Sequence, residues 1–188
     1  MSTTMTWFED LTPYAYLVRA GRVPERTLNV GWLDEGHEFP TGDVPASFVD
    51  RLRTLAECAT TMQTRGLHEC PFCSEEPDTR AEWWLPRASS GRHGSNEIRG
   101  VGADGVRYAA PTLVVHYVTA HRYRPPQAFI DAVVRISDLR PEDALLHNLC
   151  LTCGSHLTRD PERSYETFAD FACDVCGVSY TRWFASKS

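Results

Sequence analysis

The chain has no apolar run near the roughly 18 residues that a membrane span requires. Its start, MSTTMTWFEDLTPYAYL, lacks the basic, then apolar, then small-residue order of a signal peptide. These two absences make a cytoplasmic protein the expectation, with no membrane partner. Excess basic charge is also missing. The 19 Lys and Arg are outnumbered by 25 Asp and Glu, for a net charge of −6. That balance argues against sequence-independent nucleic-acid binding, which depends on cations displacing counterions from phosphates. No low-complexity tract is visible, and no internal repeat apart from a recurring cysteine pair. At 188 residues the chain has room for one ordinary domain and a small appended module.

What is abundant is cysteine in a fixed pattern. Six of the seven fall into C-x-x-C pairs at 70/73, 150/153 and 173/176. In a reducing compartment such pairs are metal ligands or redox dithiols. The seventh, Cys58, lies in RLRTLAECAT and is expected to be a small buried helix residue.

Residues up to about 40 mix aromatics with chain breakers, which suggests short strands and turns. From Asp43 a helix is expected over about 45–60. Asp43 would cap it, Pro45 would lie in its first turn, and Phe48, Leu52, Leu55 and Ala59 would form one apolar face. A polar, proline-broken stretch follows over 74–95, with Trp83 and Trp84 inside it. NEIRGVGADGVRYAAP reads as a hairpin turning at Gly105. PTLVVHYVTAH reads as a helix opened by Pro111, although its valines keep a strand open as an alternative. RPPQAFIDAVVRI gives a further helix with Phe129, Val133 and Ile136 on one face, and PEDALLHNL a short one.

The last 39 residues carry the strongest signal. Nineteen residues separate Cys150 and Cys153 from a second pair, Cys173 and Cys176, and each pair precedes a glycine, Gly154 or Gly177. Four thiolates at this spacing suit a tetrahedral zinc ion, and glycine relieves crowding after the second ligand of each turn. The segment resembles a rubredoxin-like zinc ribbon, with strands in YETFADFAC and VSYTRWF. A module this small buries too little apolar surface to offset its ordering entropy, whereas a structural zinc contributes on the order of 10 kcal/mol.

The first pair, in HECPFC, finds partners in HYVTAH. His116 and His121 fall within the spacing at which two imidazoles near a helix end converge on one ion. The order of parts is that of a two-cysteine, two-histidine finger, but 42 residues separate Cys73 from His116, so the site is an expanded one. His68, two residues before Cys70, is the rival for one histidine position. His37, His93, His147 and His156 read as ordinary polar residues.

The strings NVGWLDEGHEFPTG, HECPFC, GSNEIRG and YAAPTLVVHYVTAHRYRPPQAF resemble an uncharacterised bacterial domain-of-unknown-function family, over about residues 7–134. The resemblance implies no activity. It does imply that His68, Cys70, Cys73, His116, His121, Tyr123, Pro125 and Pro126 belong to the site or its support, with the ribbon as an addition.

CPFC is also similar to a glutaredoxin motif, and Pro111 follows Cys70 by 41 residues. However, SEEPDTR is a poor helix continuation, and Glu75, Glu76 and Asp78 oppose thiolate formation. A deaminase pattern is absent, and four protein ligands leave a zinc ion no open position for substrate. Within the ribbon Arg159, Arg163, Arg182 and Lys187 face five acidic residues, a balance suited to protein contacts. Tyr180, Trp183 and Phe184 offer stacking surfaces to single-stranded nucleic acid, or cover the ribbon and dock it on the main domain.

The sequence therefore implies an α+β protein with an α+β domain over 1–140, in which zinc staples a hairpin and helices. A linker helix and β zinc ribbon would follow over 141–188. Two zinc ions are expected, one on Cys70, Cys73, His116 and His121 and the other on Cys150, Cys153, Cys173 and Cys176. An adaptor or protein-interaction role, without catalysis, is the reading favoured over nucleic-acid binding and over thiol-disulfide exchange.

Overall fold

The structure, a computed structural model, describes residues 7–16, 25–62, 68–73, 93–164 and 168–183. The expectations for 74–92, including Trp83 and Trp84, and for Phe184 and Lys187 lie outside the described residues. The fold is α+β, as expected, with four helices and three separate sheets among the described residues.

The first sheet combines β1 (Thr27–Asn29), β4 (Glu97–Val101) and β5 (Arg107–Pro111) in the order β1-β5-β4. β4 and β5 form the expected antiparallel hairpin, and β1 joins β5 in parallel. Gly105 turns the hairpin at φ +77°, a conformation open to glycine at no steric cost. Alternation along the strands gives the sheet two faces. One carries Ile98, Tyr108 and Ala110 into the main core. On the other, Tyr14 and Trp32 cover Ala109, whose carbonyl accepts the Trp32 indole N–H at 3.1 Å. This second face also buries an ion pair, Arg99 to Glu97 at 2.7 Å, with the Tyr14 hydroxyl donating to Glu97 at 2.6 Å.

Helix α1 (Ala46–Cys58) buries Phe48, Leu52 and Leu55, the stripe expected from their spacing. Its start differs from expectation. Pro45 is the N-cap, with extended backbone, and no side chain caps the helix. Asp43 instead pairs with Arg122 at 3.0 Å. Cys58 is exposed, not buried, because the apolar stripe continues to Ala59 and leaves its neighbour about 100° off that line.

Pro111 ends β5 instead of opening a helix. It lacks the N–H to extend a ladder, and Thr112 turns the chain into α2 (Val114–Ala120). α3 (Gln127–Val134) starts after Pro126 as its cap and buries Phe129, Ile130, Ala132 and Val133, while Ile136 lies beyond its end. α4 (Pro141–Leu146) has proline in its first turn. It ends in a Schellman arrangement: Asn148 takes φ +53° and the Leu149 N–H returns to Ala144 at 2.8 Å. That turn aims the chain into the last cysteine segment.

The C-terminal sheet is antiparallel, in the order β6 (Thr158–Ser164), β7 (Phe168–Ala172), β8 (Ser179–Trp183). The latter two fall in the strings read as strands. β6 was not legible, because TRDPERS is charged and contains proline, the composition of an exposed edge strand, and its pairing to β7 is irregular. A short pair, β2 (His68–Glu69) with β3 (His93–Gly94), leads into the first cysteine turn.

Candidate metal centres

The first centre is assembled from two distant segments. The turn after β2 presents Cys70 and Cys73, with the Cys73 N–H bonded to the Cys70 carbonyl at 3.4 Å. His116 projects from α2 and His121 follows its end. Five residues apart on a continuous α-helix, two side chains diverge by about 140°. The helix therefore has to stop between them. It does so at Ala120: His121 leaves helical geometry at φ −111°, ψ 6°, and Arg122 turns left-handed at φ +55°. The Tyr117 carbonyl then accepts the N–H of both His121 (3.1 Å) and Tyr123 (3.0 Å).

The result brings all four predicted donors together. Cys70 Sγ lies 3.3 Å from His121 Nε2, Cys73 Sγ lies 3.2 Å from His116 Nε2 and 3.5 Å from His121 Nε2, and the two Nε2 atoms are 3.1 Å apart. With metal–sulfur bonds of about 2.3 Å and metal–nitrogen bonds of about 2.0–2.1 Å, the edges of a ligand tetrahedron span roughly 3.3–3.8 Å. The donor set fits a single ion, with edges at or slightly inside that range, and these four residues can hold one. His68 lies outside the group; its backbone pairs with Gly94 in the short strand pair leading to Cys70.

Apolar rings wall the site. Phe72 packs on His121 and Tyr117 at centroid distances of 5.4 and 5.7 Å, and Phe39 packs on Phe72 at 5.1 Å. Burial pushes the Cys70 thiol up to about 11 and draws His121 below its ordinary value. Both shifts favour neutral groups, and a bound divalent cation reverses this preference for the Cys70 thiol. Tyr123 and Pro126, from the family-like strings, act as support: Tyr123 is fully buried and donates to Asp10 at 2.7 Å, and Pro126 caps α3.

The second centre is built from two matching turns. In the first, Gly154 (φ +79°) returns its N–H to Cys150 at 2.8 Å, and the Cys150 N–H bonds to Ser155 at 2.7 Å. In the second, Gly177 (φ +74°) returns to Cys173 at 2.8 Å, and the Cys173 N–H bonds to Val178 at 2.9 Å. The positive φ angles are why each pair is followed by glycine. Face to face, the turns place Cys150 Sγ 3.4 Å from Cys176 Sγ and Cys153 Sγ 3.4 Å from Cys173 Sγ. All four cysteines are buried and none is in a disulfide. They too can hold an ion.

Hydrogen bonds divide the thiols unequally. The bond with Cys153 opposes the lowering of Cys150, to about 7, that Cys173 and Cys176 bring about. The bond to Cys150 draws Cys153 down and pushes Cys173 and Cys176 up. Tyr180, on β8, brings its hydroxyl within 3.4 Å of Cys150 Sγ and packs against both the cysteine cluster and the main core. Its aromatic neighbour Phe171 lies under the Arg182 guanidinium at 4.5 Å.

An α+β chain with two such four-donor groups is, by class, a candidate metal-binding protein. It belongs to the family described as domain of unknown function DUF7919, whose profile matches residues 6–134. No curated protein and no solved structure matches it. The match includes the first centre and ends before the second. No helix among the described residues is long and apolar enough to cross a membrane.

Proposed function

We propose that this chain is a zinc protein whose two ions are structural, and that it works as an adaptor through protein contacts. The observation that supports this most is the donor inventory: two cysteines with two histidines, and four cysteines, each group converging on one point. Thiolate and imidazole in tetrahedral sets are the donors of structural zinc, and four protein ligands leave no position for a reacting water. Zinc would supply cross-linking energy at both centres. Cys70, Cys73, His116 and His121 would tie the cysteine turn to α2, and Cys150, Cys153, Cys173 and Cys176 would hold the two turns of the C-terminal sheet together.

The adaptor reading rests on the surface. Leu145 and Leu146, at the end of α4 and shortly before Cys150 in the chain, are 57% and 74% exposed, and Val175 in the second cysteine turn is 39% exposed. Exposed apolar side chains of this kind suit a protein contact. Thiol exchange is less well supported, because an attacking Cys70 would need a lowered thiol and burial raises it. The test is elemental analysis of protein purified without added metal. Two zinc ions per chain are expected; one would remove a centre from the scheme, and none would overturn it.

A further inference from the structure

Three arginines outside the cysteine turns reach into them. Arg51, from α1, is 5% exposed and donates through Nη2 to the Leu151 carbonyl at 2.5 Å and through Nη1 to the Leu139 carbonyl at 2.8 Å. Arg135, just after α3, donates through Nε to Val101 at 3.0 Å and through Nη2 to Cys153 at 3.4 Å. Arg107, on β5, donates through Nε to the Val175 carbonyl and through Nη1 to Glu25 at 2.9 Å. Each guanidinium thus joins a carbonyl in a cysteine turn to one elsewhere in the chain. Leu151 and Cys153 belong to the first turn and Val175 to the second, so both turns are held.

Charge gives this arrangement a purpose. A divalent ion on four thiolates leaves a net charge of −2 in a cluster whose cysteines are all buried. Such a charge is costly to desolvate unless positive groups lie near it. Arg51 is itself a buried cation. Burial works against its charge, lowering its pKa from the ordinary value. A guanidinium fork is suited to the role because it stays charged and holds two carbonyls in fixed geometry, which an ammonium does not.

We propose that Arg51, Arg107 and Arg135 form a cationic clamp that docks the C-terminal module on the main fold and retains metal in the four-thiolate centre. The clamp rests on the zinc reading given above and adds to it a dependence of metal retention on residues of the main fold. By linkage, the coupling is reciprocal: a loaded centre strengthens docking, and docking tightens metal binding. Arg51 and Arg107 both lie inside the matched family segment, 6–134, whereas the turns they hold lie outside it.

Alkylation of the full-length zinc-loaded protein with N-ethylmaleimide, followed at each cysteine by mass spectrometry, tests the clamp. Metal-bound thiolates are protected, and Cys70 and Cys73 serve as the internal control. Loss of groups that support metal ligands typically weakens metal binding about 10–100-fold. In Arg51→Met, Cys150, Cys153, Cys173 and Cys176 should therefore alkylate at least about tenfold faster. Because Arg51 is buried, a second variant guards against misfolding: Arg107→Gln with Arg135→Gln, at less buried positions. It should accelerate the same four cysteines and leave Cys70 and Cys73 unchanged, and the matching double lysine variant should recover part of the protection, because it restores the charge without the two-carbonyl fork. Unchanged rates in both variants would overturn the clamp. So would equal acceleration of Cys70 and Cys73 in the double variant, or identical behaviour of lysine and glutamine. Wild-type protein holding two zinc ions but showing no arginine effect defeats the clamp alone, whereas wild-type protein without metal defeats the zinc reading.

Discussion

Cys150→Ser should lower the zinc content from two ions to one and remove hydrogen-exchange protection from the segment that contains the second centre. Cys150 is fully buried, and its sulfur faces both Cys176 and the Tyr180 hydroxyl. The three-stranded C-terminal sheet has a small apolar cluster made largely of the four cysteines and Val178, joined by Val101 at the end of β4. With so little other burial, the metal supplies most of the folding energy, on the order of 10 kcal/mol. The sheet of β1, β4 and β5 should keep its protection, because its core is formed by α1, α2 and α3. Cys70→Ser should have the opposite distribution. Cys70 is part of that main core, so the loss of its ion should reach α2 and the strand pair that leads to it. Hydrogen exchange resolved along the chain separates the two outcomes, and indistinguishable patterns in the two variants would contradict the assignment of one ion to each centre.

His121→Ala and His68→Ala should differ sharply. His121 Nε2 is within 3.5 Å of both sulfurs of the first pair and 3.1 Å from His116 Nε2. Its removal should abolish zinc at that centre and leave about one ion per chain. His68 sits in β2 and stands outside the donor group, so His68→Ala should retain two ions. Phe72 and Tyr117 also pack on the His121 ring, at centroid distances of 5.4 and 6.4 Å. Zinc content of the two variants decides the matter, and loss of an ion in His68→Ala with retention in His121→Ala would reverse the ligand assignment.

The donors were legible because their chemistry is written in spacing. The C-x-x-C pairs, the glycines after two of them and HYVTAH identified all eight residues that the fold brings together. Spacing leaves His68 as a rival to either His116 or His121, since it says which residues are close along the chain and not where a helix stops. The end of α2 at Ala120 made that choice. Helices α1 and α3 were legible from apolar residues three or four apart and from their prolines, and the β4–β5 hairpin from Gly105. Other features depend on contacts remote in sequence. Local sequence makes Asp43 a cap and Pro111 a helix start, whereas in the fold Asp43 pairs with Arg122 and Pro111 closes a strand. Arg51 bonds to carbonyls 88 and 100 residues away, so nothing in its local sequence marks a role at the second centre beyond a charged residue beside an apolar stripe.

The decisive measurement is zinc-edge X-ray absorption on protein purified without added metal. Six cysteines and two histidines shared between two ions predict, on average, three sulfur and one nitrogen neighbour per zinc. Their distances should be about 2.3 Å and about 2.0–2.1 Å, with no oxygen in the shell. A coordinated water or carboxylate, or an average of two sulfurs or fewer per ion, would contradict two closed structural centres.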